Sequence, residues 1–355
     1  MKRKAYLDNI RWVTVVLVMI YHVGYLFNNL GILGGIPNAK NLPFADVFCS
    51  IVYPWFMVLL FAAAGMCARY SLEKRTNKEF LRERADKLLV PSTLGLFVIH
   101  WVTGYLNIKM GGALSYIPAP LVYPISVLSG IGPLWFIQLL FLFSCLLVLI
   151  RKIDKQDRLS ALGRKTTVPV LLALGFAIWG ASQILNMPVI TTYRFGVYFA
   201  AFLIGYYVFT HDEVQERIEK MRLPMLASAI ALGVAYGVFF YGKNYTEDAC
   251  LKHLLTCAYL WVTVLAIFGC FKRYYDKETA FTGYMTKASF GWYILHYPVL
   301  LSVGYLLSTY TDFPAWAIYM LTLLGEFIGT FVLFSLLRRI PVVRYLTLGL
   351  RKKKK

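Results

Sequence analysis

Asp8, Arg11 and His22 are the first residues whose types and spacing can do chemistry. The stretch YLDNIRWVTVVLVMIYH, residues 6 to 22, has the composition of a membrane helix, yet it opens on a carboxylate and a guanidinium and closes on an imidazole. His22 follows Arg11 by eleven residues, so the two fall within about 20° of one helical face. Asp8, three residues before Arg11, shares that face and can pair with it. Counted from residue 10, His22 lies about 18 Å along the helix, past the midplane of a bilayer. Ionisable groups at that depth are expensive and tend to mark a water-filled path. A neutral imidazole there can act as general base on a hydroxyl, or it can simply hydrogen-bond a neighbouring carbonyl. Arg11, at a helix mouth, can equally be snorkelling to the interface.

A second histidine sits in SFGWYILHYP, residues 289 to 298, where Ser289, Tyr293 and His296 recur at helical spacing before Pro298. His100, Arg194 and Glu326 also fall inside apolar runs. A lone Glu326 at mid-bilayer costs a few kcal/mol (about 3) unless paired or protonated. Arg194, His100 and His296 are all possible partners, and inter-helix hydrogen bonding is the alternative role for His100 and Glu326.

These residues need elements to hold them. Of the 355 residues, 59% are hydrophobic, against about half in a soluble chain. The apolar residues are blocked into runs of about twenty, the length that spans hydrocarbon as a helix. Such runs are too long and too uniformly apolar for barrel strands, so the fold expected is an all-α polytopic membrane protein. Ten spans are predicted, near 10–30, 45–68, 88–107, 131–150, 167–186, 192–210, 224–242, 250–271, 288–308 and 314–337. Residues 1–340 are expected to form a single transmembrane domain and 341–355 a basic tail. Lys2, Arg3 and Lys4 precede the first run as in a signal peptide, but no small-x-small cleavage site follows, so a retained helix is expected.

The net charge of +19 raises the question of nucleic acid. With both termini in the cytoplasm, however, 31 of the 37 basic residues fall in alternate, cytoplasmic segments. That is the positive-inside pattern and offers no DNA groove, so no nucleic-acid partner is expected. The tail RKKKK is expected to sit on anionic lipid. The six cysteines lie in or beside apolar runs without CxxC spacing and are expected to be buried small hydrophobes. No His-x3-His or similar spacing locates a metal site. The longest opposite segment, residues 109–132, is rich in Pro, Gly and Tyr and is expected to dip back or form a lip. Tyr116 and Tyr123 within it can either present flat faces to a sugar or serve as interfacial belt residues.

Together these pieces resemble the acyltransferase 3 family of membrane O-acyltransferases. Residues 6–22 are similar to its Leu-Asp-x-Leu-Arg opening, and Arg11 with His22 matches its Arg-x10-His signature. FLRERADKLLVP resembles its Arg-x-x-Arg motif before a Pro-initiated helix, here Arg84, Lys87 and Pro91. The second basic position is Lys87, a point charge in place of a bidentate fork. PLWFIQLLFL from Pro133 is similar to its Leu-Trp-Phe helix, and SFGWYILHYP to its late Ser-x3-Tyr-x2-His-x-Pro stretch. The opening is closest in style to the glucan-modifying and surface-glycan branch.

The resemblance implies transfer of an acyl group, acetyl or succinyl, from acyl-CoA to a hydroxyl of an extracytoplasmic glycan or lipid-linked sugar, in the plasma or inner membrane. His22 is then the expected base, with direct attack or an acyl-His22 intermediate both open. Tyr293, Ser289 or His296 is expected to serve the developing oxyanion. Arg11, Arg84 and Lys87, with Asp8 beside Arg11, are expected to hold the CoA phosphates; ordinary positive-inside flanking is the alternative. The rival from another class is a proton-coupled secondary transporter, which predicts an internal repeat with paired broken helices. No such repeat is evident in the sequence.

Overall fold

The computed structural model describes residues 4–30, 32, 34–37, 39–188 and 192–351. Among these, eight helices are long and apolar enough to cross a membrane. They are α1 (Ala5–Leu26), α2 (Pro43–Leu72), α3 (Asn77–Met110), α5 (Gly132–Ile153), α10 (Arg222–Phe239), α12 (Leu254–Tyr274), α13 (Ala280–Tyr310) and α14 (Ala315–Leu337). Between them lie α4 (Ala119–Ser129), α6 (Arg158–Arg164), α7 (Val168–Ala181), α8 (Phe195–Phe209), α9 (Asp212–Lys220), α11 (Asp248–Leu251) and α15 (Pro341–Leu348).

The runs expected as spans five and six are the shorter helices α7 and α8. Helix α7 stops at Ala181, and Leu185 turns the chain with φ 54°. A hairpin follows, β1 (Asn186–Pro188) antiparallel to β2 (Thr192–Arg194), with Asn186 opposite Arg194. Residues 182–186, expected at the end of run five, and 192–194, expected at the start of run six, are therefore spent on the turn and the strands.

Helix α1 is central, packed on α2, α12, α13 and α14. Helices α10 and α14 expose most of their surface, as helices facing acyl chains do. Ion pairs gather the basic segments at one end. Lys4 pairs with Asp212, Arg69 grips Asp157 through bonds of 2.9 and 2.6 Å, Arg164 meets Glu213 at 2.9 Å, and Lys272 meets Glu219 at 3.1 Å. At the same end α15 packs on the stretch of α3 around Pro91, while Tyr345 and Arg351 both donate to Asp86. Lys352 to Lys355, the rest of the predicted lipid-binding tail, lie outside the described residues.

Two local features shape the interior. Pro54 interrupts α2 with a turn at residues 53–55, because it lacks an N–H and crowds the preceding turn. The segment 109–132 folds as α4 packed hard on α3. A Cβ on Gly104 would lie 1.8 Å from the Ser126 carbonyl oxygen, and one on Gly130 would lie 2.1 Å from that of His100. Tyr123 of α4 donates to the Phe97 carbonyl at 2.6 Å, whereas Tyr116 is fully exposed.

Candidate active site

Where α1 meets α13, His22 and His296 come together. Nδ1 of His22 lies 3.2 Å from Nε2 of His296, and Nδ1 of His296 lies 2.7 Å from the Tyr293 carbonyl oxygen. With both imidazoles neutral, these contacts assign the proton positions. A carbonyl only accepts, so His296 carries its proton on Nδ1. Neutral His296 then accepts at Nε2, so His22 must donate from its own Nδ1. The nitrogen this chain leaves with a lone pair is His22 Nε2. His296 is fully buried behind His22, and His22 itself borders a cavity of about 630 Å³.

That cavity is walled by aromatic side chains, among them Tyr25, Tyr53, Trp135, Tyr193 and Tyr297. Tyr53 comes from the Pro54 turn, Tyr193 from the hairpin, and Trp135 from the start of α5, where Pro133 sets the entry. Gly34, Gly35 and Pro37 border the cavity from the loop after α1. No lysine, arginine or carboxylate is among the described residues that line it.

A second cavity, of about 420 Å³, opens at the basic end. Arg11, Arg75, Arg84, Lys87 and Lys287 border it, with Glu83 as the one carboxylate among the described lining residues. Glu83 is engaged by Lys87 at 2.6 Å and by Arg75 at 3.1 Å. Arg11 faces Asp8 at a long 3.5 Å. Arg84 stacks on the Phe80 ring at 5.0 Å, and no described carboxylate lies within ion-pair distance of it. Ser289 borders this basic cavity and not the His22 cavity.

Tyr293 borders both cavities and forms the partition between them. Its hydroxyl donates to the Pro133 carbonyl, which ties α13 to the start of α5. The adjacent pair Trp135 and Phe136 faces one cavity each. Along α1, Arg11 and Val15 line the basic cavity, and Val18 and His22 line the aromatic one. One helical stripe therefore runs from the cationic end to the imidazole, about 16 Å at 1.5 Å per residue.

The other intramembrane polar groups, His100, Arg194 and Glu326, are not among the described residues lining either cavity. Both His100 nitrogens and both Glu326 oxygens are buried with no partner among the described residues, and Arg194 donates to the Leu251 carbonyl at 3.0 Å. Sequence reasoning missed the aromatic wall. Tyr25, at i+3 from His22, and Tyr297, beside His296, were the available signals; Tyr53 and Tyr193 come from distant segments.

No curated protein and no solved structure matches the chain. A family model described as an acyltransferase domain matches residues 4–335, and the chain accordingly belongs to the acyltransferase 3 family.

Proposed function

We propose that this membrane acyltransferase moves a short acyl group from acyl-CoA, held in the basic cavity, to a hydroxyl of a glycan or lipid-linked sugar in the aromatic cavity. The observation that carries this reading is the α1 stripe, with Arg11 in one chamber, His22 in the other, and Tyr293 bordering both. Coenzyme A is a polyanion, and five cations around one chamber suit its phosphates. By the positive-inside rule that chamber faces the cytoplasm of a cell membrane, where CoA resides. Aromatic faces in the other chamber suit the apolar face of a sugar ring.

In the proposed reaction His22 Nε2 takes the proton of the acceptor hydroxyl. The oxygen attacks the thioester carbonyl carbon. The tetrahedral adduct collapses, the C–S bond breaks, and the CoA thiolate recovers the proton from His22. His296 positions His22 by accepting from its Nδ1, a hydrogen bond that strengthens as His22 becomes an imidazolium. The wall around His22 also supports a neutral acyl group. A succinyl carboxylate would be desolvated there without a cation, at a cost of several kcal/mol (about 3 or more). Acetyl is therefore the favoured donor group.

The test is thiol release from acetyl-CoA by purified protein, coupled to mass analysis of the acceptor. His22→Ala should lower turnover by about 10²–10⁴-fold, the usual worth of a general base, with donor binding retained. Unchanged turnover in that variant, or solute flux without thiol release, would sink the proposal.

A further inference from the structure

A groove of about 790 Å³ runs along the flank of the bundle between α2 on one side and α10 and α12 on the other. Its floor is a stripe of small residues on α10, Ala229, Gly233 and Gly237, and its wall includes Ile51 and Trp55 of α2. Thr263, only 8% exposed, borders the groove with a hydroxyl that has no partner among the described residues. The groove shares Val47, Ile51, Gly237 and Tyr241 with a smaller pocket of about 200 Å³, so the two form one recess.

The smaller pocket is polar. Asp46 accepts from the Asn29 amide at 3.4 Å and from Asn41 Nδ2 at 3.1 Å. The buried Oδ1 of Asn41 has no donor among the described residues. The Lys243 ammonium sits over the Phe239 and Phe240 rings, 5.0 and 5.4 Å from their centres, and no described carboxylate is within ion-pair distance. A cation without an anion and an acceptor without a donor thus cap an apolar trough. An apolar trough that ends in an exposed ammonium and amide and carboxylate oxygens has the chemistry to take a glycolipid, with the ammonium for a phosphate and the oxygens for hydroxyls.

We propose that this recess binds a phosphate-bearing glycolipid, its hydrocarbon chain in the groove and its head at Asp46, Asn41 and Lys243. This lipid is the anchored acceptor, a role that rests on the acyltransferase reading above; the binding itself does not. A second copy of the chain is the other occupant a small-residue stripe admits. A helix in the groove, however, brings neither the phosphate that suits Lys243 nor the hydroxyls that suit Asn41. The position also fits an acceptor. Asn29 and Asn41, both held by Asp46, bracket the loop whose Gly34, Gly35 and Pro37 border the His22 cavity. The lipid head therefore lies across one loop from that cavity.

The full chain in phosphatidylcholine nanodiscs is photolabelled with a polyprenyl-phosphate hexose bearing a diazirine in mid-chain, and adducts are mapped by peptide mass spectrometry. Label is expected within residues 47–55 and 226–241, displaced by unlabelled polyprenyl-phosphate hexose and not by polyprenol. Gly237→Leu fills open groove, since a Cβ there meets only Ile51 at 3.9 Å. That variant and Lys243→Gln should each reduce labelling at least about tenfold, the loss expected for one charge-assisted contact in the second case. Label spread equally over α14, or unchanged in both variants, means bulk lipid only and overturns the site. A Gly237→Leu protein that loses a dimer while keeping its label also overturns it. Thiol release from acetyl-CoA is measured in parallel on the unmodified protein, with a water-soluble glycoside and with polyprenyl-phosphate hexose as acceptor. Release with unspecific label ends the lipid site and keeps the enzyme reading; specific label without release on either acceptor does the reverse.

Discussion

His296 Nε2 stands 3.2 Å from His22 Nδ1, joining two helices whose contributing residues are 274 positions apart in the chain. Because the Tyr293 carbonyl holds the other nitrogen of His296, this contact selects one tautomer of His22. A residue that acts only through such a hydrogen bond affects turnover more than donor affinity. His296→Ala should lower kcat by about 10²–10⁴-fold, the range between a lost general base and a base held in the wrong tautomer, with KM for acetyl-CoA little changed. His296→Gln, which keeps an acceptor near the same place, should recover part of the loss. Equal falls in donor affinity and kcat would instead indicate a packing role.

Arg84 and Lys87 make different predictions although they belong to one motif. Lys87 is already paired with Glu83, whereas Arg84 has no described carboxylate at ion-pair distance and borders the same chamber. Arg84→Ala should therefore raise KM for acyl-CoA by about tenfold to a hundredfold, the worth of one charged hydrogen bond, and leave kcat near its starting value. Lys87→Ala should change KM less than about fivefold, as for an exposed pair worth below about 1 kcal/mol. Steady-state kinetics with varied donor separates the two.

The stripe from Arg11 to His22 was legible in the sequence because helical periodicity is local and an eleven-residue interval returns to nearly the same face. Placing Ser289, Tyr293 and His296 on one helix followed from the same arithmetic. What periodicity does not carry is which distant helix a face meets. Packing joins His22 to His296 and leaves His100, which lies in a third predicted span, without a hydrogen-bond partner among the described residues. The aromatic wall was hidden for the same reason, since Tyr53, Trp135 and Tyr193 come from three separate segments. Run five was carried past Ala181 because Ile184 and Leu185 of the turn are as apolar as the helix before them, and run six was begun at Thr192, in the strand that leads into Phe195.

Gly104 is where α3 and α4 touch backbone to backbone. A Cβ there would lie 1.8 Å from the Ser126 carbonyl oxygen, and no side-chain rotation relieves a clash with backbone. Gly104→Ala should push α4 away, displace the following Gly132 and Pro133 from the His22 cavity, and cost about 1–3 kcal/mol, as overpacking does. Thermal unfolding in detergent and thiol release should both decline. Gly180→Ala is the control: nothing lies within 4 Å of its Cβ position, and alanine favours the helix, so stability should hold or rise slightly.

The Arg69–Asp157 pair makes a prediction about pH. Hydrogen bonding to the Arg69 guanidinium holds the Asp157 carboxyl below the usual carboxylate range. A group whose folded-state affinity for protons is reduced contributes stability above its unfolded value, about pH 3.9, and loses it as pH falls through the lower folded value. The bidentate contact should thus be intact at neutral pH and fail only in acid. Asp157 is nearly half exposed, so solvent screens the pair and its share of total stability is small. Thermal scans of Asp157→Asn against the unmodified protein should differ at pH 7, draw together as pH falls below about 3.9, and coincide only in stronger acid, below the lowered folded-state value, where the native carboxylate too becomes protonated. A gap that persists unchanged into acid would assign the effect of the substitution to hydrogen-bond geometry at residue 157 and not to the charge, since a backbone φ of 53° suits asparagine and aspartate alike.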